Sequence, residues 1–170
     1  CKEILAGQHH VQFPVDMIQG GAGTTTNMHA NEVIANRALQ IMGHELGDYK
    51  HCSPNDHVNC SQSTNDAYPT AIHLGLYATH LKFMEHYELL IKSFEAKAEE
   101  FKDILKMGRT QLEDAVPMTL GQTFGAFASI LRDEIRNINF AAEEFLTVNM
   151  GATAIGTGIC SEPGYAEKCV

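Results

Sequence analysis

The chain has 170 residues, 44% of them hydrophobic, enough to bury a sizeable core, and a single domain is the default expectation. Its 12 basic and 21 acidic residues leave a net charge of −9, which repels phosphate backbones and anionic lipid, and no apolar run approaches the roughly 18–20 residues of a membrane span. Nucleic acid and membrane are thereby set aside as partners, and the absence of a signal-peptide pattern at the start adds to a reading as a soluble, cytoplasmic protein.

The chain opens at Cys1 rather than Met and reads as an internal fragment. Cys1, Cys52, Cys60, Cys160 and Cys169 are odd in number, scattered and free of any Cys-x-x-Cys pair, which favours a reducing compartment over a disulfide scaffold. His51, Cys52, His57 and Cys60 offer four metal-ligand types within ten residues. Their spacing matches no familiar zinc pattern, so they read as loop residues, as do His9 and His10, and no metal is expected.

In chain order, Gly20-Gly21-Ala22-Gly23-Thr24-Thr25-Thr26-Asn27 comes first. It lacks the Lys-Ser/Thr of a phosphate loop; its glycines let backbone N–H groups approach a ligand, and Thr24 adds a hydroxyl. Taken alone, the stretch is also an ordinary turn and helix cap. A first helix is expected from Asn27 to about Leu46, with Ala30, Val33, Ile34, Ala38, Ile41 and Met42 on one face and Gly43 and Gly47 as stop signals. A second runs from about Asp66 to Leu105, capped by Asn65 or Asp66, with Pro69 in its first turn. A third runs from Met118 to about Val148, between Pro117 and Gly151, with Leu120, Phe124, Leu131, Ile135 and Ile138 on its apolar stripe. The linker from Lys106 to Pro117 reads as a compact polar turn in which Arg109 serves helix C-terminal carbonyls, and no alternating strand pattern competes. The fold class is therefore all-α, an elongated bundle of long antiparallel helices.

The chemistry-bearing residues gather at the ends of these rods. Ser63-Thr64-Asn65-Asp66 and Gly108-Arg109-Thr110-Gln111 each precede a long apolar-periodic run. Neutral hydroxyls and amides beside unpaired helix N–H groups are suited to holding carboxylates without a metal, so the pattern points to a dicarboxylate site. Each stretch by itself is equally a cap or a turn; their joint order is the stronger signal.

That order also carries a resemblance. Gln19–Thr24 with Asn27-Met28 and Asn31-Glu32-Val33, then Pro54–Asn59, Gln62–Asp66, Met107–Leu112 with Asp114–Gln122, and Gly151–Gly158 resemble the signatures of the aspartase/fumarase superfamily, over roughly Phe13 to Gly158. The resemblance implies a reversible β-elimination, with L-aspartate giving fumarate and ammonia and with no cofactor. Proton removal beside a carboxylate forms an aci-carboxylate dianion, which positioned neutral donors stabilise. By similarity, Thr24, Ser63 and Thr64 grip the carboxylate next to the acidic carbon, while Asn65, Thr110 and Gln111 orient the amino group and the other carboxylate. Thr110 and Gln111 are the catalytic candidates. The resemblance further implies a homo-oligomer, a tetramer whose central helices pack together and whose active sites are shared between subunits. It divides the chain into an N-terminal segment with a glycine-rich substrate loop (1–26), a long-helix bundle (27–150) and a post-helix segment (151–170).

Some positions depart from the family pattern. Cys60 stands where relatives usually place a basic residue, and His29 replaces a polar amide. Gln111 stands where fumarase-like members carry His, and Thr64 where they carry Ser; both choices favour an ammonia-lyase. The family's Gly-Ser-Ser loop, which delivers the serine base, has no counterpart in these residues, so the base is expected beyond Val170 and the fragment alone is expected to be inactive. A fumarate hydratase or another fumarate-producing lyase is the alternative within the superfamily. A non-catalytic helical assembly module, with the polar motifs serving only as caps, is the alternative outside it.

Overall fold

The computed structural model describes residues 1–18 and 20–169, which cluster into two compact units: 1–18 and 20–73 with 148–169, and 74–147. The first unit is built around α2 (Thr24–Met42). Asn31, Ala35 and Leu39 recur every four residues along this helix and are its buried stripe. A short N-terminal helix, α1 (Lys2–Leu5), is tied to it by Arg37, whose guanidinium donates to both carboxylate oxygens of Glu3 at 2.6 and 2.9 Å, while His9 meets Glu3 at 2.8 Å. That two-pronged grip holds the Glu3 carboxyl at about 2, well below the ordinary 4.5. The unit also holds a π-helical turn (Pro54–Val58), the first residues of α3 (Thr64–Glu100) and, in the 148–169 segment, α5 (Tyr165–Cys169).

The second unit contains the rest of α3, a two-stranded antiparallel sheet of β1 (Leu105–Thr110) and β2 (Glu113–Thr119), and α4 (Leu120–Glu143). The helices run antiparallel. Phe101 and Phe94 both lie against Phe124 at ring distances of 5.4 and 5.9 Å, Glu95 bonds Arg132 further along, and His80 reaches Asn139 at 3.0 Å. Phe127 completes an edge-on aromatic cluster, and Ile91, Ala128 and Ala142 are buried. The start of α4 sits directly on the end of α3: Leu120 and Gly121 donate to the carbonyls of Ile104 and Phe101 at 2.8 and 2.9 Å. A Cβ on Gly121 would lie 2.4 Å from the Ala98 carbonyl, so only glycine permits this approach. Thr119 and Gln122 close the helix start with a reciprocal capping box.

The helical class agrees with the sequence reading, but several boundaries do not. The first helix spans Thr24–Met42 rather than Asn27–Leu46, because Gly23 in left-handed conformation is its N-cap and Gly43 already ends it. The second stops at Glu100 rather than Leu105, and the third is α4 followed by a 3₁₀ turn at Glu144–Leu146 rather than one helix to Val148. The largest correction is the Lys106–Pro117 linker, which is a β-hairpin. Its turn is Gln111-Leu112, both with positive φ (49° and 67°), the geometry of a tight two-residue hairpin turn without the glycine that normally signals it. Arg109 does not serve helix carbonyls; it spans the hairpin to Asp114 at 2.9 Å. Pro69 lies in the second turn of α3, not the first. The missing proline N–H would leave the Asn65 carbonyl without its helical donor, and the side-chain amide of Asn149 takes that place at 3.0 Å.

Candidate active site

In the first unit the N-termini of α2 and α3 are joined through a cluster of amides. Asn27, one turn into α2, donates from Nδ2 to Thr64 Oγ1 at 3.0 Å and to Asn59 Oδ1 at 3.3 Å. The buried Asn31 donates to the same Asn59 oxygen at 2.9 Å, and Asn59 in turn donates to the Gln62 carbonyl at 3.3 Å. Because the Thr64 oxygen accepts from Asn27, the Thr64 hydroxyl hydrogen is left to point at a different acceptor. Thr64 is shielded at the positive end of a long helix, with one hydroxyl hydrogen left to donate. Gly23 lies between the two helices: a Cβ there would be 2.1 Å from the Tyr68 ring, so its lack of a side chain sets how closely the Thr24 turn approaches α3. Thr24 itself is exposed, as the first residue of α2.

Beneath the donors, Asp66 is fully buried and its carboxylate accepts three backbone N–H groups: Ser63 at 2.8 Å on one oxygen, Gly151 at 3.1 Å and Thr153 at 2.8 Å on the other. Ser63, not Asn65 or Asp66, caps the helix, its hydroxyl accepting from the Asn65 N–H at 3.2 Å, while the Asp66 carboxylate reaches back to the Ser63 N–H. Asn65 is exposed and spends one amide hydrogen on the Ala154 carbonyl at 2.7 Å. The segment 149–154 is therefore stitched to the motif at Asn65 and Asp66. Nearby on α5, the Tyr165 hydroxyl is pushed up to about 12, chiefly by burial and by a side-chain hydrogen bond with Cys169, with a smaller push from the Asp66 charge, so it is neutral at pH 7.

Ser63, Thr64 and Asn65 are consecutive at the start of α3, Thr64 bonded into the amide cluster through Asn27, Ser63 bonded to Asp66, and Asn65 bonded to the Ala154 carbonyl. Thr110 and Gln111 belong to the second unit, where Thr110 ends β1 and Gln111 forms the exposed hairpin turn. Two clefts of about 520 and 530 Å³ are lined, respectively, by residues 149–152, 156–158 and 161–167 and by His9, His29, Arg37 and neighbours on α2; none of the six predicted donors lines either. His29 has a local structural role, its Nε2 meeting the Gln12 carbonyl at 2.7 Å and its ring stacking on Phe13. The residues that sequence reasoning missed are Asn27, Asn31 and Asn59 as positioning groups and Asp66 as an anchor. Only Asp66 left a local signal, the Ser63-x-x-Asp66 capping spacing.

A helix-rich chain whose neutral donors surround a helix N-terminus is matched along residues 1–170 by the family model described as Lyase, and the chain belongs to this lyase family. Within it, the chain is similar to the aspartate ammonia-lyase of Pseudomonas aeruginosa, at 58% identity over 171 residues covering 100% of this chain and 36% of that relative. Among solved structures it is similar to the fumarate lyase:delta crystallin of Brucella melitensis bound to cobalt (TM-score 0.87, 52% identity, 99% of this chain and 36% of that one). It is also similar to the class II fumarase of Schistosoma mansoni (TM-score 0.81, 38% identity, 99% and 35%). The chain therefore spans about a third of the length of the relatives it matches, 36% for the first of them.

Proposed function

We propose that the whole protein catalyses the reversible elimination of ammonia from L-aspartate to give fumarate. The observation that carries this is the 58% identity to an aspartate ammonia-lyase along the entire chain, against 38% to a class II fumarase. The donor geometry supports it. A base removes the proton from the carbon beside one carboxylate; the electron pair moves into that carboxylate, forming the aci-carboxylate dianion. Return of the pair forms the carbon–carbon double bond as the C–N bond breaks and ammonia leaves. Thr24, Ser63 and Thr64 hold the carboxylate that gains charge, with the Thr64 oxygen fixed by Asn27. Asn65, Thr110 and Gln111 orient the amino group and the second carboxylate, Asn65 with the amide hydrogen it does not spend on Ala154. The serine base belongs to a signature these residues do not contain, and the reaction as drawn uses no cofactor.

The reading includes a cytoplasmic homotetramer with shared active sites, in which segment 1–26 supplies the glycine-rich substrate loop, 27–150 the central bundle and 151–170 the segment after it. Support comes from the large apolar side chains that α3 and α4 leave exposed, among them Leu74, Leu81, Leu89, Ile130 and Phe140. The alternative is fumarate hydration, favoured by the likeness to the fumarase structure and disfavoured by Gln111 and Thr64.

The test is aspartate deamination by the full-length protein, followed as fumarate absorbance. Thr64→Ala or Thr110→Ala should lower kcat by about 10²–10³, the usual cost of one donor aimed at developing charge. Stability should fall by only about 1 kcal/mol, the usual worth of one hydrogen bond. Hydration of fumarate with no aspartate turnover would assign the protein to the hydratases, and unchanged turnover in both variants would leave these threonines with a structural role alone.

A further inference from the structure

The loop that leaves α2 carries a cluster that the site described above does not use. His44, Asp48 and His51 place a ring nitrogen or carboxylate oxygen each within 4.8 Å of one another. The Asp48 Oδ2 atom is 3.7 Å from His51 Nε2, while its other oxygen faces Lys50 at 3.4 Å, so one oxygen remains turned toward the histidines. The two imidazoles lie nearly parallel, their centroids 3.9 Å apart and their planes 5° from each other. The backbone beneath is held on both sides. His44 donates from its N–H to the Leu39 carbonyl at 2.9 Å, and His51 donates to the Asp48 carbonyl at 3.0 Å. Asn36 of α2 accepts the Gly47 N–H at 2.8 Å and donates to the Tyr49 hydroxyl at 3.1 Å.

We propose that His44, Asp48 and His51 form a binding site for a borderline divalent transition ion, of which Zn²⁺ is the type, with water completing the coordination. Two imidazoles and one carboxylate are a donor set such ions favour, with metal–ligand distances of about 2.0–2.2 Å. Tetrahedral geometry at those distances needs ligand atoms about 3.3 Å apart. The Asp48–His51 pair is already close to that separation, and His51, exposed on the loop, closes the rest by turning about its side-chain bonds. A second observation favours a cation at this place. The C-terminal end of α2 carries the negative end of a 19-residue helix, and its last turn contains no basic residue. The ion would fasten the Gly43–His51 turn in the stretch that leads to the π-helical turn and to Asn59, the amide on which Asn27 and Asn31 converge.

The experiment is a calorimetric titration of the metal-stripped, full-length protein with Zn²⁺, comparing wild type with His44→Gln/His51→Gln and with Asp48→Asn, which preserves side-chain shape. The expected result is one Zn²⁺ equivalent per chain in the wild type that is weakened at least about 10–100-fold in both variants, no less than the loss of an outer-shell partner causes. Zn²⁺ should also raise the melting temperature of the wild type and not of the variants. Circular dichroism of the stripped proteins identifies any variant that has not folded, and Asp48→Asn then carries the comparison. Equal stoichiometry and affinity in wild type and variants would overturn the proposal. So would a Zn²⁺ equivalent lost in Cys52→Ser/Cys60→Ser and kept in the histidine variant, which would place the ion on the thiols.

Discussion

The two units of the chain differ in what they bury. The first buries Ala35 and Leu39 together with polar groups: Asn31, Thr64, Asp66 and Thr153 are almost or wholly shielded, and their partners are specific atoms of distant segments. In the second, the packing is a cluster of tilted and edge-on aromatic rings along an antiparallel helix pair, and the polar contacts lie at its exposed margins. A ring cluster tolerates small shifts because dispersion and burial are non-directional, whereas a hydrogen-bonded cluster is satisfied in one arrangement or broken. Precise placement of Thr64 is therefore invested where the polar cluster is, and the helix hairpin supplies length and apolar surface.

That contrast can be broken or sharpened by substitution. Asp66→Ala removes the acceptor of three buried or half-buried N–H groups, each left unsatisfied at about 1–3 kcal/mol, so urea denaturation should show a loss of about 4 kcal/mol or more. A loss below about 1 kcal/mol would show that the cluster is not rigid. Phe124→Ala, in the second unit, should cost about 2 kcal/mol, less than the usual 3–5 for a buried ring because Phe124 is only half-buried. An effect larger than that of Asp66→Ala would reverse the contrast. Leu112→Gly should stabilise the hairpin by up to about 1 kcal/mol, since Leu112 is 97% exposed and held at a φ of 67° that glycine adopts freely. A thermal melt reads this directly, and destabilisation would show that the leucine side chain has a contact of its own. The smallest effect belongs to Glu3. Its carboxyl titrates lower in the folded chain than the ordinary 4.5, so the stabilisation from the Arg37 and His9 grip is complete above that value and fades as the pH falls toward about 2. An NMR titration of the Glu3 side chain should give a midpoint near 2; a midpoint near 4.5 would mean the grip is absent in solution.

Much of this was legible in the sequence because it is periodic or local. The three long helices follow from apolar spacing, although the sequence reading put the cap of the second at Asn65 or Asp66 rather than Ser63 and did not single out Thr119. The hairpin was not legible: Gln111-Leu112 is not a turn pair that sequence rules flag, and β1 and β2 do not alternate cleanly between buried and exposed residues. The amide cluster was invisible for a different reason. Asn27 finds Asn59 and Thr64 across 32 and 37 positions, and nothing in the local spacing of an asparagine states which distant oxygen it will meet. Thr24, Ser63 and Thr64 stand at helix starts that the sequence marks, but the residues that bond Ser63 and Thr64 needed the tertiary fold.

The replacement of the Pro69 N–H by the Asn149 amide has a consequence for how the chain assembles. Asn149 lies 84 positions from the carbonyl it serves, and Gly151 and Thr153 lie 85 and 87 positions from Asp66. Closing a loop of that length costs entropy that no contact near α3 recovers, and contacts of such high separation form slowly. The opening turns of α3 therefore cannot be completed by the helix itself. They acquire their full set of partners only when the 149–153 segment returns, which makes the motif bearing Thr64 a late product of folding even though its residues are contiguous.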